Sequence, residues 1–120
     1  MSQIFHHQMF ELNRSAIVVR PKGPFLEWLH SVDPNSSEFT LQDMCQEPTV
    51  YLIRECESEE DSLACLEEIV SAVFEDQLEG WWRDRSAWPA NRTLDLFHAW
   101  FNCQFHSLVL DAYDTPPEEY

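Results

Sequence analysis

Histidine and cysteine side chains lie close together in the sequence near its carboxyl end. His98, Cys103 and His106 carry imidazole and thiol groups, which bind zinc well, and Asp95 precedes His98 by about one helical turn. These residues suggest a metal site or a polar pocket. Their spacing matches no recognised zinc motif, and a buried cysteine beside locally hydrogen-bonded histidines explains them equally well. We therefore predict no cofactor and keep the three residues as a candidate pocket.

The few basic residues suggest a second kind of site, for an anion. Arg20 and Lys22 follow the first predicted strand, and Arg54 ends the second, so the three charges would meet if those strand ends converge. Guanidinium groups bind carboxylates and phosphates through paired hydrogen bonds. The alternative is that each arginine pairs with a nearby acid, and 22 acids against 7 bases favour it.

Tryptophans cluster in an irregular segment that follows the longest predicted helix. Trp81, Trp82 and Trp88 lie within eleven residues that also contain Arg83 and Arg85. Tryptophan is enriched at binding hot spots, and irregular segments often carry function. The alternative is that these indoles cover the helices as part of the core. We expect at least one of Trp81 and Trp82 to be buried and the other to be partly exposed.

The chain is strongly acidic, with a formal net charge of −15 and a dense run of carboxylates between Glu55 and Asp61. Such a surface repels nucleic acids and anionic membranes, so we expect neither as a direct partner. It favours a basic protein partner. Carboxylates that imitate a nucleic-acid backbone are a weaker alternative, and solubility alone explains the same composition.

Common catalytic motifs are missing from the sequence. It has no GxSxG, HExxH or phosphate-loop pattern, and only two glycines are available for such loops. His106 and Ser107 are adjacent, so on a strand they would point to opposite faces and could not pair. We therefore favour a function without catalysis.

The sequence also predicts the compartment. Its first residues do not resemble a signal peptide, and no apolar run approaches the roughly twenty residues that span a bilayer. The four cysteines form no CxxC pair, so we expect reduced thiols and a cytoplasmic protein.

The first half of the chain predicts two strands, a helix and a short helical turn. Ser15–Arg20 is a short apolar run, typical of a central strand covered on both faces or nearly so. Pro24 begins a helix whose apolar side chains share one stripe, and Asp33 ends it. Thr40 and Asp43 resemble a capping box on a short helical turn. Thr49–Arg54 is the second strand.

The second half predicts two helices and a third strand. Ser58 caps a long helix with acids in its first turn, and Gly80 is expected just past its end in a left-handed conformation. Asn91 or Thr93 caps the next helix, and 105–111 is the third strand. The termini, 1–12 and 113–120, are expected to be loose.

These elements predict a single domain over residues 1–120. A hydrophobic fraction of 44% is enough for one core. The order β-α-β-α-α-β indicates an α+β fold in which helices pack on a small, three-stranded, mostly antiparallel sheet.

Three segments carry a resemblance to a known group of proteins. They are RPKGPFLEWL at 20–29, PTVYLI at 48–53 and SAWPANRTLDLFHAWFNCQFHSLVLD at 86–111. The chain resembles a family of short bacterial proteins of uncharacterised function. The resemblance implies a bacterial, cytosolic protein and brings no activity, cofactor or catalytic residue.

Two functions follow from these observations. The favoured one is an acidic interaction domain that uses the segment from Trp81 to Trp88 as an apolar anchor for a basic protein partner. The alternative is a small enzyme or ligand-binding protein with a helix–sheet pocket formed by His98, His106, Arg20 and Arg54. A homodimer is compatible with either.

Overall fold

The computed structural model describes residues 9–113 and 115–119, so the predictions for 1–8, 114 and 120 lie outside it. Within the described residues, strands and helices follow one another in a mixed order along the chain. Their order is β1 (Phe10–Glu11), β2 (Arg14–Pro21), α1 (Gly23–Val32), α2 (Leu41–Met44), β3 (Thr49–Arg54), α3 (Glu59–Trp81), a 3-10 turn (Arg85–Ala87), α4 (Leu94–Trp100), β4 (Phe101–His106) and β5 (Leu110–Asp111).

The centre of the fold is a three-stranded antiparallel sheet with the order β3-β2-β4. On the central strand, Ile17 lies opposite Tyr51 on one side and opposite Phe105 on the other. The predicted α+β fold with a small antiparallel sheet is confirmed. The central position of the first predicted strand is confirmed as well.

Among the described residues, helices cover one face of this sheet and leave the other open. Ile17 and Val19 are fully buried in the core, whereas Val50 and Leu52, which point to the other face, are 58% and 57% exposed. The expectation that the first strand is covered on both faces is therefore wrong. On the open face of β2, Ala16 is flanked by the neighbouring strands and lies between Leu52 and His106.

The end of α1 and the start of α2 lie where the sequence predicts them. Helix α1 places Phe25, Trp28 and Leu29 in the core, and the Asp33 N–H closes it on the Leu29 carbonyl oxygen at 2.9 Å. Before α2, the Thr40 hydroxyl accepts the Asp43 N–H, and the Asp43 carboxylate accepts the Thr40 N–H. The predicted capping box is confirmed.

The long acidic helix is α3, and the Ser58 hydroxyl caps it by accepting the Asp61 N–H at 3.0 Å. It buries one apolar stripe against the sheet and α4, made of Leu66, Val70, Val73, Phe74 and Leu78. The predicted end at Gly80 is wrong, because the helix continues through Gly80 to Trp81 without a left-handed residue. The Trp81 ring packs on Phe39, which favours one more helical residue there.

The last predicted strand is misplaced, because β4 begins at Phe101 and follows α4 without a loop. Thr93, not Asn91, caps α4. Phe101 follows Phe97 at helical spacing, but it pairs opposite Pro21 in the sheet, while its ring stays 4.8 Å from that of Phe97. One ring of this buried pair therefore comes from helix α4 and the other from strand β4.

A short two-stranded ribbon, which the sequence did not predict, joins β1 to β5. Phe10 lies opposite Asp111, and Glu11 lies opposite Leu110. Part of the segments expected to be loose is thus paired.

Candidate binding surface

The tryptophan segment after α3 is held against the core. Trp88 is 8% exposed, and its indole N–H donates to the Trp82 carbonyl oxygen at 2.8 Å. The Trp28 indole N–H donates to the Ala87 carbonyl oxygen at 3.0 Å, and the Arg85 guanidinium lies 5.0 Å from the centre of the Trp88 ring. Trp88 therefore belongs to the core and offers little surface to a partner.

Trp81 and Trp82 are both half-buried, so the expectation that one of them is buried is wrong. The Trp82 indole nitrogen is enclosed and has no hydrogen-bond partner among the described residues. Trp81 is the last residue of α3, and its ring meets that of Phe39 edge-on, with centroids 5.3 Å apart.

A cleft lies beside this aromatic pair, between the end of α1 and the end of α3. Its volume is about 210 Å³, and it is lined by Leu29, Asp33, Asn35, Ser36, Phe39 and Trp81. We call it the Trp81 cleft. Its walls combine two aromatic rings with one carboxylate.

The loop between α1 and α2 is fixed by its own hydrogen bonds. The Asp33 carboxylate accepts the Asn35 N–H at 2.9 Å, and the Ser36 hydroxyl lies within hydrogen-bond distance of the Asp33 and Leu29 carbonyl oxygens. The His30 ring nitrogen lies 2.9 Å from the Phe39 carbonyl oxygen, to which it donates as an N–H. This wall of the cleft is therefore formed before any ligand arrives, which lowers the entropic cost of binding.

The chemistry of the Trp81 cleft favours a cation. A guanidinium or ammonium group is attracted to the face of an indole ring, and a neighbouring carboxylate adds charge attraction. Asp33 supplies that carboxylate, and none of the described residues that line the cleft is basic. Asp33 and Phe39 were not predicted as site residues from the sequence. Asp33 was predicted only as the end of a helix. Both residues are distant from Trp81 in sequence, and no local pattern links them to it.

The three bases of the predicted anion site do not form one cluster. Arg54 lies opposite Arg14 at one end of β2, whereas Arg20 and Lys22 lie at the other end. Arg54 pairs with Asp61 at 2.8 Å and with Glu68 at 3.1 Å, and both carboxylates raise the pKa of its guanidinium. Arg20 contacts the Gln104 side chain, and the Lys22 ammonium donates to the His98 carbonyl oxygen.

His98, Cys103 and His106 are also separated. His98 and His106 are exposed, and Cys103 points from β4 to the helix-covered face, opposite to His106. Burial raises the pKa of the Cys103 thiol to about 11, against the opposing effect of Lys22. Among the described residues, no three His, Cys, Asp or Glu side chains are placed to hold a metal ion.

Comparisons of the chain with family models, with curated proteins and with solved structures give no match. The family resemblance thus stays a prediction, and function is argued from the site. None of the described helices is sufficiently long and apolar to cross a membrane.

Proposed function

We propose that this chain is a non-enzymatic interaction domain that binds a basic segment of a partner protein. The Trp81 cleft receives a lysine or arginine side chain of that segment. The observation that carries the proposal is the edge-on pair of Phe39 and Trp81 beside the Asp33 carboxylate. Together they offer a cation both an aromatic wall and a counter-charge.

The charge of the domain supports the same partner. Along α3, Asp61 and Glu68 are paired with Arg54 and Glu75 with Arg92, but several other carboxylates are exposed and have no basic partner within the described part of the chain. Glu79 is one of them, two residues before Trp81. Such a field accelerates the approach of a positively charged segment and slows that of nucleic acid.

Free thiols support a reducing compartment. The four cysteines all lie in the described part of the chain and are unpaired. A cytosolic partner in a bacterium is consistent with this.

A fluorescence anisotropy titration tests the proposal, with a dye-labelled peptide of alternating lysine and glycine as the probe. We expect binding that weakens as salt is added, because the attraction is electrostatic. Replacing the cleft's aromatic wall (Trp81→Ala) or its charge (Asp33→Asn) should weaken binding about tenfold.

The matched control is Glu67→Gln. It removes one negative charge, as Asp33→Asn does, but it lies about 21 Å along α3 from Trp81, at 1.5 Å per residue. We expect a change of less than twofold. Equal losses in all three variants would mean that net charge alone binds the peptide, and the proposal would then be abandoned.

A further inference from the structure

A second cavity lies where α3 begins, at the opposite end of this helix from the Trp81 cleft. Its volume is about 350 Å³, within the range of small-molecule sites. It is lined by Cys56, Glu57, Ser58, Glu59, Ser62, Phe105 and Ser107. We call it the α3 cavity. One wall is the start of the helix, and the other is the end of β4.

The two walls are joined by a buried serine on the central strand. Ser15 is 2% exposed, and its hydroxyl accepts the Cys56 N–H at 2.9 Å. The same hydroxyl lies 3.3 Å from the Ser107 carbonyl oxygen, to which it can donate. Because Ser15 bridges both walls and Ser58 caps the helix, the cavity is preformed.

Ser62 offers the cavity a hydroxyl group that is not engaged elsewhere in the described part of the chain. It is 7% exposed, it lines the cavity, and its hydroxyl has no hydrogen-bond partner among the described residues. A helical serine often satisfies its hydroxyl on the carbonyl four residues earlier. Here the Ser58 carbonyl oxygen accepts only the Ser62 N–H. The described side-chain atoms that are both fully enclosed and without a partner do not include this oxygen, so it is open to the cavity and can bond to a ligand there.

The charged groups around the cavity decide whether it favours an anion or a cation. A helix N-terminus carries about half a positive charge, which would favour an anion. Glu57 and Glu59 place two carboxylates at the cavity, and the Ser58 cap already satisfies one helix N–H. Two cations lie nearby, and neither lines the cavity: Arg54 is engaged by Asp61 and Glu68, and Arg14, which lies opposite Arg54, bonds to Asn13. The balance is negative, so the cavity favours a cation.

The remaining wall suits an alkyl chain. Phe105 is half-buried and packs against the core, and its ring lines the cavity. An aromatic face attracts both methylene groups and an ammonium group.

We propose that the α3 cavity binds a primary alkylammonium group. The N–H groups of the ligand donate to the Ser62 hydroxyl oxygen and to the carboxylates of Glu57 and Glu59. Its alkyl chain lies on Phe105. The group belongs either to a free small amine or to a lysine side chain. The proposal does not depend on the Trp81 cleft, and each can fail without the other.

Isothermal titration calorimetry tests the proposal, with 1,4-diaminobutane as the probe. The titration is made on the Trp81→Ala variant, which lacks the aromatic wall of the Trp81 cleft, and there we expect one site per chain. Ser62→Ala should weaken binding about tenfold, because it removes a hydrogen bond to a charged group. Alanine is a good helix former, so circular dichroism of this variant should show an intact helix. Glu59→Gln should weaken binding by a similar factor.

The control is Glu79→Gln, which removes the same charge from the same helix about 30 Å away, at 1.5 Å per residue. In the Trp81→Ala background, where the Trp81 cleft no longer contributes, it should bind the diamine as its parent does. Equal weakening in Glu79→Gln and Glu59→Gln, or unchanged binding in Ser62→Ala, would overturn the proposal. Tighter binding of inorganic phosphate than of the diamine would also overturn it.

A final titration with N-acetyl-lysine methylamide separates the two sources of the ammonium group. Affinity equal to that of the diamine supports a lysine side chain of a partner. Weaker affinity supports a free amine. No binding of either probe contradicts the site.

Discussion

Phe39 and Trp81 form an edge-on ring pair, 5.3 Å between centroids, that joins the loop after α1 to the last residue of α3. The pair fixes one end of the long helix and forms the aromatic wall of the cleft. We expect a double-mutant cycle with Phe39→Leu and Trp81→Leu to give a coupling of about 1 kcal/mol in the free energy of unfolding, the usual value for such pairs. Urea denaturation measures it. A coupling near zero would mean that the rings contribute independently.

The buried stripe of α3 should dominate its stability. Leu78 is fully buried, whereas Leu63 on the same helix is 43% exposed. Leu78→Ala should lower the free energy of unfolding by about 2–5 kcal/mol, because it leaves a cavity in a packed core. Leu63→Ala, the matched control, should cost less than about 1 kcal/mol. Similar losses in both variants would contradict the orientation of the helix.

Tyr51 should be the last tyrosine to ionise. Burial and a hydrogen bond donated to Asp76 raise the pKa of its hydroxyl, although Gln77 donates a hydrogen bond to the same oxygen. In a titration followed by phenolate absorbance, Tyr51→Phe should remove the step at the highest pH. Because the raised pKa favours the neutral folded form, the stability that Tyr51 contributes is complete below about pH 10, the pKa of free tyrosine, and declines above it. If Tyr51→Phe removed the step at the lowest pH instead, the burial of Tyr51 and its hydrogen bond to Asp76 would be contradicted.

Cys103 should react slowly with iodoacetamide near neutral pH. Its pKa of about 11 leaves roughly one thiol in a thousand ionised at pH 8, and only the thiolate reacts. The rate of alkylation, followed by mass spectrometry of the Cys103 peptide, should rise about tenfold per pH unit up to pH 10. Because the folded state favours the neutral Cys103 thiol, the contribution of this thiol to the free energy of unfolding is complete below pH 9 and declines toward pH 11.

Lys22 gives the control for this prediction. Its charge lowers the pKa of Cys103, so Lys22→Met should slow alkylation further. A rate that levels off below pH 9 would show that the thiol is not buried as described.

Local signals in the sequence were sufficient for most of the fold. Thr49–Arg54 was predicted at its observed bounds, and the caps at Thr40 and Ser58 were found, because each depends on residues close in sequence. The third strand was misplaced for a tertiary reason. Pairing of Phe101 with the central strand overrides the helical spacing that links it to Phe97.

The sites were harder to predict because they join distant residues. Trp81 was a candidate because tryptophan is enriched at binding sites, but its partners Phe39 and Asp33 lie far away in sequence, in the loop between α1 and α2. The distance between Arg54 and Arg20 follows from the direct antiparallel pairing of β3 with β2, and the sequence did not predict which strands are neighbours. Burial of Trp88 follows from bonds to backbone oxygens that no side-chain pattern reveals.

The most direct test of the proposed function is to follow the backbone amide signals of the ¹⁵N-labelled domain by NMR while the lysine–glycine peptide is added. The account predicts that the largest shifts lie at 33–39 and at Trp81, with saturation at one peptide per chain. Shifts spread along the carboxylates of α3, with Phe39 and Trp81 unchanged, would contradict it.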